Sequence, residues 1–252
     1  MCIFEPQLKG MPNLHYIEST ESTNQYLQQF CSNNPFENGD AVYTTIQTKG
    51  RGQRGNVWVS EAGQNLLFSM VFTPEYLPVR QQFQLTQWVA ISVVTFFQSL
   101  HPNTQIKWPN DVYADSKKMG GILIENNITS GNIASSIIGI GLNINQTEFT
   151  EKAPNAVSLK QLTDREYELD TLANAFHKHL IEQLSVLEKN SADAVRQTYW
   201  KYLYRKHGMH KYQDKNGLFE AEIVGFSQLG HLRLKSSDGL ERQYDLKEVV
   251  FL

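Results

Sequence analysis

Three glycines alternate with two arginines in Gly50-Arg51-Gly52-Gln53-Arg54-Gly55, and an indole, Trp58, follows three residues later. Glycine at that density frees the backbone to adopt positive φ, so the stretch is a loop rather than the interior of a helix or strand. Residues 41–46, rich in β-branched side chains, read as a strand leading into it, and residues 65–72 as a strand after it. Any fold for this chain must therefore seat a bare, charged loop between two strands. Successive amide N–H groups freed in this way can point into one concavity, and the arginines add forked donors suited to phosphate or carboxylate. Trp58 offers a flat face to a heterocycle. The competing reading is a solvated surface turn. A Walker-type phosphate loop is excluded, because Asn56 and Val57 stand where lysine and Ser/Thr would be needed.

Composition limits what such a loop serves. The 252 residues are 40% hydrophobic and 19% charged, which fits one large domain or one plus a small appendage. A formal net charge of -3 supplies no global field for nucleic acid or anionic membrane, so anion binding has to be local. Cys2 and Cys31 form neither a disulfide framework nor a metal-ligand spacing, and read as free thiols of a reducing, cytoplasmic environment. The N-terminus has no signal-peptide pattern. The longest apolar run, residues 88–97, is about half a membrane span and is interrupted by Ser92 and Thr95, so it is read as a core helix.

Taken in order, residues 14–17 read as a strand, and Ser19-Thr20-Glu21-Ser22-Thr23-Asn24 heads a helical pattern to about Cys31. Its hydroxyls and amide are natural N-caps, yet a helix start of that kind is also a polar ligand site. Residues 81–100 carry helical spacing. Pro109 makes Lys107-Trp108-Pro109-Asn110-Asp111 an extended or turn segment, with Asn110-Asp111 as turn chemistry. Residues 118–125 form a strand whose start holds Gly120 and Gly121, the mark of a bulge or of a ligand lying against backbone, with Lys118 at its entry. Residues 136–142 form another strand, running into Gly139-Ile140-Gly141-Leu142-Asn143-Ile144-Asn145. Residues 171–187 and 192–205 are helices; His177 and His179 in the first read as solvated side chains rather than metal ligands. Short strands at 218–224, 232–235, 243–246 and 248–251, separated by turn signals, suggest a small β-barrel of about 45 residues, marginal alone.

Ser22-Thr23-Asn24, Gln47, the glycine–arginine run through Trp58 to Ser60, Lys107 to Asp111, Lys118 to Glu125 and Gly139 to Asn145 occur in that order. Together they resemble the biotin–protein ligases, over about residues 14–252 and more weakly after Asn145. The resemblance implies an α+β fold with two units. A catalytic unit, residues 1–207, would be a mixed β-sheet with helices packed on one side, like class II aminoacyl-tRNA synthetases. Residues 208–252 would be an SH3-like barrel. It implies a cytoplasmic ligase that makes biotinyl-5′-adenylate from biotin and ATP with Mg2+, then transfers biotin to a lysine of a biotin carboxyl carrier domain.

The resemblance also implies site residues. Ser22, Thr23, Asn24, Gln47, Gly50, Arg51, Gly52, Gln53, Lys118, Gly120, Gly121 and Gly139 would bind biotin. Arg54, Trp58, Asn110, Asp111, Lys118 and Asn143 would bind ATP or the adenylate. Lys118, Arg51 and Arg54 would be catalytic, with no dedicated metal site and Asp111 as the candidate ligand for the magnesium of ATP. Two departures stand out: Gln53 replaces an arginine frequent in the family, and the final stretch Glu248-Val249-Val250-Phe251-Leu252 lacks an arginine that others direct at the adenylate. Only twenty-one residues precede Ser22, so a monofunctional enzyme without a DNA-binding domain is expected, as a monomer or weak homodimer. The ligand-free loop, with two unpaired arginines, is expected to be open. The rivals are a lipoate or octanoate ligase or transferase of the same fold and, in another class, a non-enzymatic RNA-binding module.

Overall fold

The computed structural model describes residues 12–151 and 153–252; Cys2 lies outside them. The described residues begin with β1 (Leu14–Tyr16), α1 (Thr23–Asn33), β2 (Ala41–Thr44) and β3 (Leu66–Phe72). α2 (Gln82–Gln98), β4 (Thr104–Lys107), β5 (Asp111–Ala114), β6 (Lys117–Thr129) and β7 (Asn132–Leu142) follow. These seven strands make one sheet in the order β1-β2-β3-β7-β6-β5-β4, parallel at β1–β2 and antiparallel in its other pairs.

Every residue of β3 is buried, because both faces of the sheet are covered there. Leu66, Phe68, Met70 and Phe72 join the main core, while Val71 joins a second cluster with Ile17, Leu27, Val42 and Ile137. α2 packs on the main-core face with α4 (Leu169–Glu188) and α5 (Ala192–Lys201), after the short α3 (Leu159–Thr163). α1 packs on the other face through Leu27. The implied placement of helices on one side therefore holds for α2, α4 and α5 but not for α1. That exception leaves a half-covered face, and the site occupies it.

α2 is apolar nearly all round, as a fully buried helix must be. Two of its hydroxyls bond back to the helix: Ser92 Oγ donates to the Trp88 carbonyl at 2.8 Å and Thr95 Oγ1 to that of Ile91 at 2.9 Å. The two α4 histidines are not solvated. His177 is buried and donates from Nε2 to the Gly39 carbonyl at 2.7 Å. His179 Nε2 donates to the Ser92 carbonyl at 3.0 Å. They occupy core-facing positions that the Leu/Phe pattern of α4 already marked out. Cys31 is a free, half-buried thiol, which burial pushes up to about 11, so it carries no thiolate chemistry near neutral pH.

The C-terminal strands β8 (His210–Asp214), β9 (Gly217–Phe226), β10 (Leu232–Ser236), β11 (Glu241–Tyr244) and β12 (Val250–Phe251) form an antiparallel sheet in the order β11-β10-β9-β8-β12, consistent with the SH3-like expectation. Phe226 packs against Phe83 and Tyr199 at centroid separations of 5.7 and 5.3 Å, and Trp108 Nε1 donates to the Gly230 carbonyl at 2.8 Å. These contacts pin the small sheet to the large one and bring the turn before β12 to the open face.

Burial lowers the pKa of His177 and of His179, outweighing the carbonyl each donates to. The unfolded chain therefore binds these protons more readily than the folded one. Their contribution is complete above about pH 6.5 and is lost as pH falls toward the folded values. The urea midpoint should be lower at pH 5.5 than at pH 7.5, and His177→Gln should remove part of that dependence. An equal midpoint at both pH values would contradict this.

Candidate active site

The open face is built from two rows of residues running across the strands. Backbone pairing aligns Leu67, Gly141, Gly121, Asp111 and Lys107 from β3, β7, β6, β5 and β4. The neighbouring row holds Ser69, Gly139 and Leu123. Glycine is required where the sheet is approached most closely. A Cβ on Gly139 would lie 2.1 Å from Asn24 Oδ1, and one on Gly141 would lie 2.6 Å from Trp58 Cε2. Over these rows lies a cavity of about 310 Å³, walled by the α1 start, the glycine–arginine loop, the sheet and the turn before β12.

At one end the groups are neutral and polar. Ser22 sits at the N-cap of α1 but makes no capping bond with its side chain. The Thr23 N–H instead donates to Gln47 Oε1 at 2.8 Å, as does Thr23 Oγ1 at 3.3 Å. Ser69 Oγ lies 2.8 Å from Thr23 Oγ1 and 2.6 Å from Asn24 Oδ1. Ser22, Thr23, Asn24 and Ser69 are all buried.

At the centre the groups are ionic. Lys118 Nζ is 2.7 Å from Asp111 Oδ1, beside bare Gly121. Arg51 Nη2 is 2.6 Å from Glu125 Oε1, while Asn24 Nδ2 donates to the other oxygen of that carboxylate at 2.8 Å. Glu125 thus ties loop to helix. Asn110 turns its amide into the Ile122 carbonyl, bracing the segment that carries Asp111. The Trp58 indole N–H is buried and has no partner among the described residues.

The loop itself is folded shut. Gly52 N–H donates to the Asn56 carbonyl at 2.7 Å and Trp58 N–H to that of Gly50 at 3.0 Å, across a bridge between Arg51 and Val57. Arg54, at φ 50°, faces away from the cavity: its guanidinium reaches Asp245 Oδ2 at 2.5 Å and the Leu246 carbonyl at 2.7 Å. Lys247 Nζ returns to the Arg54 carbonyl at 2.9 Å. That guanidinium holds the Asp245 carboxyl below the usual carboxylate range. The expectation of two unpaired arginines is not met, because both partners lie far away in sequence.

Most residues singled out from the sequence line this cavity: Ser22, Thr23, Asn24, Gln47, Arg51, Gly52, Gln53, Trp58, Asn110, Asp111, Lys118, Gly121 and Gly139. Four do not. Gly50 packs under the Trp58 carbonyl, where a Cβ would sit 2.3 Å away. Gly120 faces the core side, where Leu142 would meet a Cβ at 2.7 Å. Arg54 is held by the barrel as described. Asn143 is buried, its amide 3.3 Å from the Val157 carbonyl. Sequence reasoning missed Ser69, Glu125, Lys107 and the wall contributed by Leu246, Lys247 and Phe251. Strand alternation from Gly139 would have reached Glu125 and Ser69 had the pairing been known; the barrel's share has no local signal.

The model of the Biotin/lipoate A/B protein ligase family matches residues 16–143, and the chain belongs to that family. Among its relatives, the bifunctional ligase/repressor BirA of Bacillus subtilis is 28% identical over 240 residues, covering 92% of this chain and 72% of that protein. The biotin–[acetyl-CoA-carboxylase] ligase of Mycobacterium tuberculosis is 28% identical over 162 residues, 61% of this chain and 57% of that one. The biotin protein ligase of Aquifex aeolicus in complex with biotin and ATP superposes with a TM-score of 0.77 at 25% identity, covering 96% of this chain and 99% of its own.

The clasp on Arg54 has a direct consequence. Asp245→Asn should raise the rate of trypsin cleavage after Arg54 in the ligand-free protein by a few-fold, since an exposed pair contributes at most about 1 kcal/mol. Mass mapping of the fragments checks this, and an unchanged rate would mean that the barrel does not hold the loop.

Proposed function

We propose that this chain is an ATP-dependent biotin–protein ligase, activating biotin as biotinyl-5′-adenylate and passing it to a lysine of a carrier domain. The observation that carries the reading is the pairing of two chemistries in one cavity. Neutral donors and acceptors of Thr23, Asn24 and Gln47 lie at one end, braced by the buried Ser69 hydroxyl, and Lys118 and Arg51 lie at the centre. A cyclic urea needs both donors and acceptors and carries no charge, so the first set suits the biotin head. The dithiolane of lipoate offers no donors and no comparable acceptors to these groups, which disfavours the lipoate reading. A net charge of -3 disfavours an RNA-binding module.

In the first step a biotin carboxylate oxygen attacks the α-phosphorus of Mg-ATP, the substrate, and pyrophosphate leaves. Two anions must meet, so Lys118 lowers their repulsion while Arg51 and the loop amides enclose the product. The closed loop shields the mixed anhydride from water. Trp58 supplies a flat wall and an indole N–H for the adenylate. In the second step the carrier lysine attacks the acyl carbon and AMP departs. Asp111, the carboxylate of the cavity wall, takes the amine proton. The wall residues from the turn before β12 make the small sheet part of the site, and we place the boundary between the two units near residue 208. The partner is a biotin carboxyl carrier domain. No described helix is long and apolar enough to cross a membrane.

Incubation with biotin, Mg-ATP and a carrier domain should add one biotin to the carrier by intact mass, whereas lipoate should give no adduct. Lys118→Ala should slow biotin-dependent ATP–pyrophosphate exchange by roughly two to three orders of magnitude. Exchange at the wild-type rate in that variant would remove Lys118 from the mechanism.

A further inference from the structure

A second cavity, of about 60 Å³, opens where α2, α5 and the small sheet meet, on the helical side of the large sheet. It shares no lining residue with the larger cavity. Phe83 and Phe226 give it an apolar wall. Its polar lining is Gln81, Gln84, Gln87, Arg196, Ser227 and Gln228, with no carboxylate among them. The side-chain amides of the four glutamines and the Arg196 guanidinium make no hydrogen bond to any described residue. Arg196 has no ion pair among the described residues either. Asp193, in the first turn of α5, is exposed and lies outside the lining.

Gln87 is the member that demands an explanation. Its exposure is only 5%, and an amide that deep normally has partners, because leaving water without replacing its hydrogen bonds is unfavourable. Helical side chains lean toward the N-terminus, so Gln87 lies over the turn that carries Phe83 and Gln84 and faces this cavity. The start of α2 lies at the same place. Gln81 at its N-cap makes no side-chain capping bond, and its first turn holds no acidic residue. The positive end of a long helix is therefore left uncompensated beside a guanidinium and a buried, unpaired amide.

These features share one sign. Amide N–H groups, an arginine fork and a helix start all favour negative charge. The volume corresponds to roughly four to six water positions, which is room for one compact ion and too little for a nucleotide.

We propose that this cavity binds a small oxyanion, a carboxylate or inorganic phosphate, held by Arg196 and Gln87. The assignment is independent of the ligase reading. Its place gives the ion a structural consequence. Phe83 and Phe226 are rings that pin the small sheet, and Gly230 is pressed so close that a Cβ on it would lie 2.5 Å from Phe83 Cγ. An ion spanning Gln87, Arg196 and the turn at Ser227 joins α2 and α5 to that sheet, and so stabilises the fold.

Thermal unfolding tests this directly, in sodium phosphate and in sodium acetate, each against chloride at equal ionic strength and pH. Wild type, Gln87→Leu and Arg196→Gln are compared. Such anions also stabilise folded proteins through exclusion from their surface, and binding in the larger cavity is common to all three proteins, so the parent-minus-variant difference is the measure. In wild type the midpoint should rise saturably, with a Kd on the order of 1 mM. Arg196→Gln alters an exposed side chain and should weaken the anion roughly tenfold or more. Gln87→Leu removes the unpaired amide and should abolish the saturable rise. If Gln87→Leu does not fold, Arg196→Gln carries the comparison. A saturable difference in phosphate alone identifies a tetrahedral ion, and one in acetate alone a carboxylate; either supports the site. No rise above chloride in wild type, or an equal rise in the parent and the variants, would overturn it and leave the cavity to water.

Discussion

The arrangement depends on two places where sheet backbone is left bare. Asn24 can reach Ser69 and Glu125 only because Gly139 has no side chain beneath it, and Trp58 can lie down only because Gly141 has none. From these contacts the remaining geometry follows. α1 is pressed onto the sheet at its N-terminus, its first N–H is taken by Gln47, and Glu125 is brought within reach of Arg51. A methyl at either glycine would displace an element, not merely fill a gap.

The same constraint divides labour between the two faces. Alternate residues of β3 point to opposite sides, so Phe68 and Met70 stabilise the core under α2 and α4 while Leu67 lines the cavity and Ser69 braces Thr23 and Asn24. Stability is concentrated in the large apolar cluster, which includes α5 and the small sheet. The ligand face is consequently free to carry buried polar groups that contribute little to folding. Several charges on and beside it are nonetheless matched: Arg51 with Glu125, Arg54 with Asp245, Lys118 with Asp111, Lys49 with Glu21. These pairs are partly exposed, where exchange of one carboxylate for another anion costs little.

What was legible in the sequence followed local rules. Glycine density marked the loop and the floor, and apolar periodicity marked α2 and α4. β4 and β5 escaped, because each has four residues and Pro109-Asn110 between them reads as a turn. Asp111, taken as turn chemistry, begins a strand whose register puts it opposite both Gly121 and Lys107. His177 and His179 read as solvated because histidine is polar, although their spacing on α4 already placed them inward. The partners of the two arginines were out of reach of any local rule: Glu125 lies 74 residues from Arg51, and Asp245 lies 191 from Arg54.

The last of these pairings changes how the C-terminal sheet is understood. Its end lacks an arginine, which on sequence grounds left its contribution to the site without a carrier. The structure ties this sheet to the loop and the cavity by other means. Leu246 and Asp245 hold Arg54, Lys247 closes the ring of bonds through the Arg54 carbonyl, and the Phe251 ring lies 5.0 Å from Lys107 Nζ. A small sheet that would be marginal alone is held by Phe226 and the Trp108–Gly230 bond, and in turn holds the loop at one edge of the cavity and a cation at the other. Loosening that sheet would therefore act on both ends of the reacting row at once, although none of its residues need touch the acid being activated.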